Sequence, residues 1–191
     1  MLQWQIHHPA GDLKSANHID RAVAVFFVSF RKINKAHMTY EEYMLPVILA
    51  NLVAVVLALS SYNFPRFMRF IWGLIFIIAG IVNLITVYNE PGIYVDAYGP
   101  SAIDCYQQII YGPFGVRPAV YVTLIAVGQI LIGGLIWSGR FWYYLGLIGG
   151  MLFLLAIAPL GVGSAFPATV IMALGLMVMM RKRRRKSIFG V

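Results

Sequence analysis

The sequence predicts an all-α integral membrane protein, a helical bundle that crosses the bilayer five times. Three observations predict it. Hydrophobic residues make up 60% of the chain and charged residues 12%, with a mean hydropathy of +0.77, whereas soluble domains are roughly a quarter charged. Five apolar blocks follow one another, divided by short turns holding Pro or Gly and by one longer loop. The last two blocks, FWYYLGLIGGMLFLLAIAPL and GVGSAFPATVIMALGLMVMM, run straight into Arg181, Lys182, Arg183, Arg184, Arg185 and Lys186. An apolar run of about 20 residues spans the hydrocarbon, and a block of cations stops it at the membrane face.

Residues 1–37 differ from everything that follows. All four histidines (His7, His8, His18 and His37) lie there, together with Lys14, Arg21, Arg31, Lys32 and Lys35. The apolar run Ala22–Phe30 is nine residues long, too short for a span that needs about 20. Arg31 and Lys32 then stand where a signal-peptide cleavage site needs small residues. The stretch is expected to be a disordered leader, or an over-extended reading frame in front of a start at Met38.

The membrane domain is expected over residues 38–186, with a tail end at 187–191. The first span, 44–62, has Asn51 as its strongly polar interior residue and tyrosines at both ends. Asn63–Arg66 forms a turn, because Pro65 disfavours helix at Phe64. The second span, 67–88, leads into an aromatic-rich outer loop, 89–117. Pro118 suits the first turn of the third span, 119–137. Ser138-Gly139-Arg140 turns the chain into the fourth, 141–160, and the fifth is short, 165–180.

Orientation follows from counting Lys and Arg. A cytoplasmic carboxyl end puts Arg66, Arg69, Arg140 and the six tail cations inside, nine in all, against Arg117 outside. Five further cations lie outside if the leader is present. The rival reading keeps the leader inside and makes residues 44–62 a re-entrant segment. The expected home is the cell membrane, specifically a bacterial inner membrane, with the lipid bilayer as first partner. The net charge of +8 does not imply nucleic acid, because the cations gather near the two ends and form no basic face. A lone cysteine, Cys105, excludes an internal disulfide or a thiolate metal cage.

Within the five spans, Arg69 is the one Asp, Glu, His, Lys or Arg. Proton relays, ion-coupled carriers and haem sites draw on such groups at depth. No catalytic residue, metal ligand or cofactor is therefore expected. Among the polar residues of the spans, Asn83 and Gln129 are candidates to line a headgroup or quinone pocket. The plainer expectation is that they hydrogen-bond between helices, worth under about 2 kcal/mol each. Gly146 and Gly150 form a small-xxx-small pair expected to serve helix packing. In the outer loop, Ser101 and Asp104 have the spacing of a capping box. A short helix over 102–111 would then place Ile103, Gln107 and Ile110 on one face lying against the membrane. Tyr94, Tyr98, Tyr106 and Tyr111 are expected as interfacial anchors.

Two segments resemble the DoxX-like family of small four-helix membrane proteins: RFIWGLIFIIAGIVNL (Arg69–Leu84) and GQILIGGLIWSGRFWYYLGLIGGMLF (Gly128–Phe153). The resemblance covers the chain from about Arg69 to Lys186 and rests on glycine spacing and topology. It implies a four-helix core, to which 44–62 adds an extra amino-terminal span. Some members are subunits of membrane oxidoreductases, including a thiosulfate:quinone oxidoreductase. This chain departs from the family where Asn83 replaces a frequent lysine and Gln129 a frequent glutamate, so an inherited redox role lacks its ionisable groups.

The reading that follows is a non-enzymatic structural or accessory membrane component, packing with a membrane protein partner or with itself. The alternatives are a membrane subunit of a quinone-linked oxidoreductase and a small-solute or lipid transporter.

Overall fold

The computed structural model describes residues 40–188, which belong to the compact unit Thr39–Val191. The leader expected over 1–37 and the last residues of the tail lie outside the described residues, as do the side chains of residues 40–43, Arg140, Val162 and residues 182–188. Every regular element among the described residues is helical: α1 (Tyr40–Asn63), α2 (Pro65–Asn89), α3 (Ile93–Tyr98), α4 (Asp104–Ile109), α5 (Pro118–Trp137), α6 (Arg140–Ile157) and α7 (Ala168–Ile188). Pro65 and Pro118 open α2 and α5, where a missing N–H costs no helical hydrogen bond.

Four stretches are long and apolar enough to cross a membrane: Met44–Asn63, Pro65–Asn89, Pro118–Trp137 and Phe141–Gly161. Ala168–Arg181 is a shorter apolar helix. α7 does not stop at the first cation but continues as helix through the basic run to Ile188. Large aliphatic side chains cover the outside of the bundle, among them Leu45, Ile48, Leu52 and Leu59 on α1 and Leu124 and Leu131 on α5. In water such a surface would aggregate; against lipid tails it costs nothing.

Because lipid is as apolar as a leucine core, close packing and hydrogen bonds must hold the helices together. α2 and α5 run antiparallel and form the most extensive helix pair, α1 lies along α7, and α6 bridges α5 and α7. The α2–α5 seam is built from small residues two turns apart on each helix. A Cβ on Gly80 would come within 2.6 Å of the Ala126 carbonyl oxygen, and one on Gly133 within 2.6 Å of the Gly73 carbonyl oxygen. Backbone therefore lies directly on backbone along this seam. Gly146 lies against the backbone of Leu135 and Ile136, and Gly150 faces Leu176 and Phe76. The core fills the space where four helices meet, with Trp72 and Phe76 from α2, Ile136 from α5, Leu147 from α6 and Leu176 from α7. α1 joins this group through a buried hydrogen bond, Trp72 Nε1 donating to Ser61 Oγ at 2.9 Å.

The carboxyl end of α5 is closed completely. A helix leaves its last four carbonyls without intrahelical partners. Here the Ser138 N–H serves Gly134 and Leu135 at 3.1 Å, and the Ser138 hydroxyl donates to Gly134 at 2.9 Å. Arg69 serves the rest: Nε donates to the Ile136 oxygen and Nη2 to the Trp137 oxygen, each at 2.7 Å, and Nη2 also donates to the Ser138 oxygen. The guanidinium lies 4.9 Å from the Tyr143 ring centre, a cation–π contact. Arg69, read from sequence as a topology signal, is thus also the helix cap that ties α2 to α5 and α6. Replacing it with Lys keeps the charge but loses the fork that reaches several carbonyls. Arg69→Lys should lower the unfolding free energy by about 1–2 kcal/mol and Arg69→Ala by more, in detergent melting curves.

Candidate functional site

Residues 93–114 form a cap beside the Asn89 end of α2, the Pro118 end of α5 and the Ile157 end of α6. α3 and the Gly99–Ser101 turn open the cap; α4 and a π turn over Ile110–Phe114 close it. Four polar ties fasten it to the α6–α7 connection. Ser101 Oγ donates to the Leu160 oxygen at 2.9 Å and accepts from the Gly163 N–H at 3.2 Å. The Ile103 N–H donates to the Pro159 oxygen at 3.1 Å, and the Tyr106 hydroxyl to the Ala156 oxygen at 2.8 Å. Gly161 takes a positive φ of 70° right against Ser101, where any side chain would collide with the Ser101 carbonyl.

This arrangement corrects two expectations for the loop. Ser101 does not cap a helix, because its hydroxyl is used by the α6–α7 connection; Ile103 occupies the N-cap of α4 without a side-chain bond. Ile103, Gln107 and Ile110 do not form one membrane-facing stripe either. Ile103 is exposed and Ile110 is buried, since the helix gives way at Ile110 to the π turn and its non-helical Gly112. Nor are the tyrosines alike: Tyr94 is buried, Tyr106 is a tether and Tyr111 is exposed.

Below the cap lies a cavity of about 390 Å³, within the usual range for small-molecule sites. Asn83 from α2 and Gln129 from α5 form its polar end, and Tyr94 and Tyr98 from α3 face them. Phe153 and Ile157 from α6 supply apolar wall. Three other lining residues, Ile109 on α4, Ile125 on α5 and Ala156 on α6, are also exposed. The cavity therefore meets the exterior beside them.

The polar end is an ordered chain of donors. The Tyr94 hydroxyl donates to Asn83 Oδ1 at 3.0 Å and to the Asn83 carbonyl at 3.2 Å. Asn83 Nδ2 donates to Gln129 Oε1 at 2.7 Å. The structure thus joins Asn83 and Gln129 across the α2–α5 seam and sets both on the cavity wall. Burial of the Tyr94 phenol, reinforced by neighbouring Tyr98 and partly offset by the Thr86 hydroxyl, keeps it protonated well above the ordinary value of 10.0. Burial acts the same way on Tyr98. Sequence reasoning found the two amides, but Tyr94 and Tyr98 carried no local signal, because their burial depends on where the cap docks. Cys105 is exposed on α4, away from the lining.

Among the described residues, the lining presents amides, phenols and hydrocarbon. Such groups bind and orient by hydrogen bonding and apolar contact. No family model, curated protein or solved structure matches this chain. The site is accordingly read from its own chemistry.

The two phenols give the fold a pH dependence of definite sign. A folded-state value raised above 10.0 means that stability is full below about pH 10 and is lost above it, as the unfolded chain releases protons the folded chain keeps. Melting temperatures in detergent should fall as the pH rises above about 10, and Tyr94→Phe should flatten that fall while costing about 1 kcal/mol at neutral pH.

Proposed function

We propose that this chain is a five-span protein of the cell membrane, with its carboxyl end in the cytoplasm, that holds a lipid-soluble small molecule beneath the outer cap. It acts as a non-enzymatic binding component, alone or packed with a membrane partner. One observation carries the reading: an apolar cavity, polar at one end, with exposed residues Ile109, Ile125 and Ala156 in its lining, a flank that lipid would cover in a membrane. Solutes from water would have to pass the tethered cap, whereas a molecule dissolved in the bilayer reaches the flank directly. The run Arg181–Lys186 supports the cytoplasmic carboxyl end. The fifth block is short for a span, and the cations that follow it can extend its reach by placing their charge among headgroups.

A second reading is favoured by the donors at the polar end. Gln129 and Tyr98 facing an apolar slot would suit the carbonyl oxygens of a quinone, making this chain the membrane subunit of a quinone-linked oxidoreductase, as the DoxX-like resemblance suggests. In that case a partner carries the redox centre. A stoichiometric flavin, haem or iron–sulfur protein co-purifying in mild detergent, with a visible spectrum, would favour this second reading over the first.

Two measurements test the proposal. Native mass spectrometry of the purified wild type should show a bound small molecule, and Ala156→Trp, which fills the cavity from its rim, should lose it while remaining folded. A wild type that carries nothing and gains no thermal stability from any lipid-soluble compound overturns the reading. Cys105, the chain's one cysteine and an exposed one, reports the orientation. In intact cells it should react with a membrane-impermeant maleimide; reaction only after permeabilisation would invert the topology.

A further inference from the structure

Resting on the reading of the cavity as a ligand site, we infer that its occupant is an uncharged amphiphile whose acyl carbonyl, ester or amide, accepts a hydrogen bond from Gln129 Nε2. The direction of the hydrogen-bond chain leads to this ligand class. Tyr94 donates to Asn83, and Asn83 donates to Gln129 Oε1. Gln129 Oε1 is therefore engaged, while the Nε2 donor is not. Gln129 is only 5% exposed, yet its Nε2 makes no hydrogen bond to the described residues. Among the described residues, the fully enclosed side-chain atoms without a partner are Asn51 Oδ1 and Thr169 Oγ1, so Nε2 is not sealed in the packing. Gln129 is one of the residues that line the cavity, and Nε2 is assigned to that space.

A buried N–H without a partner is costly, and the site is completed by a group that accepts. The Tyr98 hydroxyl, on the same wall and stacked on the Tyr94 ring, likewise has no hydrogen bond to the described residues. The polar end thus offers donors from two directions to one acceptor.

Charge narrows the class. Nothing in the lining is cationic, so a carboxylate or phosphate drawn in would lose its water with no counter-charge. A plain hydrocarbon would leave Nε2 unpaired. Among the uncharged carbonyl acceptors of a bilayer, acyl esters and amides join the acceptor to a single tail that suits one apolar wall, whereas a quinone brings a ring with two carbonyls. The tail follows the apolar wall past Phe153 and Ile157 and leaves at the flank beside Ile125 and Ala156.

The test uses the full chain in a maltoside detergent, whose headgroup has no carbonyl. Thermal unfolding is followed with four probes of equal tail length: glyceryl monododecanoate, dodecanamide, dodecanoate at alkaline pH and dodecane. The ester and the amide should raise the melting temperature, with apparent affinities about tenfold above those of dodecanoate and dodecane. Gln129→Met, close to Gln in shape, should abolish that preference while leaving the dodecane response as it was. Tyr98→Phe should reduce the preference and provides a second variant should Gln129→Met fail to fold. Equal shifts from all four probes on the wild type would overturn the ligand class while leaving the cavity reading standing. A shift from none of them would overturn both.

Discussion

The interaction on which the bundle depends is the closure of α5 by Arg69. Inside a bilayer, no water completes the hydrogen bonds of a helix end, so free carbonyls must find partners within the protein. Ser138 takes the carbonyls of Gly134 and Leu135, and Arg69 takes those of Ile136, Trp137 and Ser138. Because Arg69 belongs to α2, satisfying α5 fixes the register of the two helices. Gly73 and Gly80 then meet Gly133 and Ala126 at backbone distance. A slip of one residue would put side chains where only glycine fits. The same register brings Asn83 opposite Gln129 at the other end of the pair, so the cavity's polar end is set by a contact at the far side of the membrane domain.

The outer cap obeys the same constraint by different means. Its helices are short, six residues each for α3 and α4, and helices of that length do not hold themselves. Their order comes from Ser101, Ile103 and Tyr106 binding carbonyls at the end of α6 and just after it. Those carbonyls belong to Ala156 in the last turn of α6 and to Pro159 and Leu160 in the segment where Gly161 departs from helical geometry. Cap and helix end thus satisfy each other, and Tyr94 is carried over Asn83 as a result.

The long helices were legible in the sequence because each is announced locally, whereas α3 fell inside what read as loop. An apolar run of sufficient length, Pro65 or Pro118 at its head and Gly139 at a turn define helices without reference to anything distant. The candidate amides were visible for a similar reason, since Asn83 and Gln129 stand out on apolar runs. What the sequence did not show depends on contacts between remote positions. Arg69 read as one more cytoplasmic cation, because its partners lie 67 and 69 residues away. Ser101 read as a helix cap because its true partner, Leu160, is 59 residues distant. The loop tyrosines read as interfacial anchors because aromatic residues near a membrane commonly are, and nothing local distinguishes Tyr94 from Tyr111.

A site of the proposed kind also determines the medium in which its occupancy would be decided. With the cap tied down and the flank against acyl chains, an occupant would exchange with a two-dimensional solvent. The quantity setting occupancy would then be the mole fraction of the ligand among the lipids, not its concentration in the surrounding water. A scarce compound that partitions strongly into membranes would fill the site, while a plentiful soluble one of similar shape would leave it empty. Changes in lipid composition would then be read by this protein directly, without any signal crossing the aqueous phase.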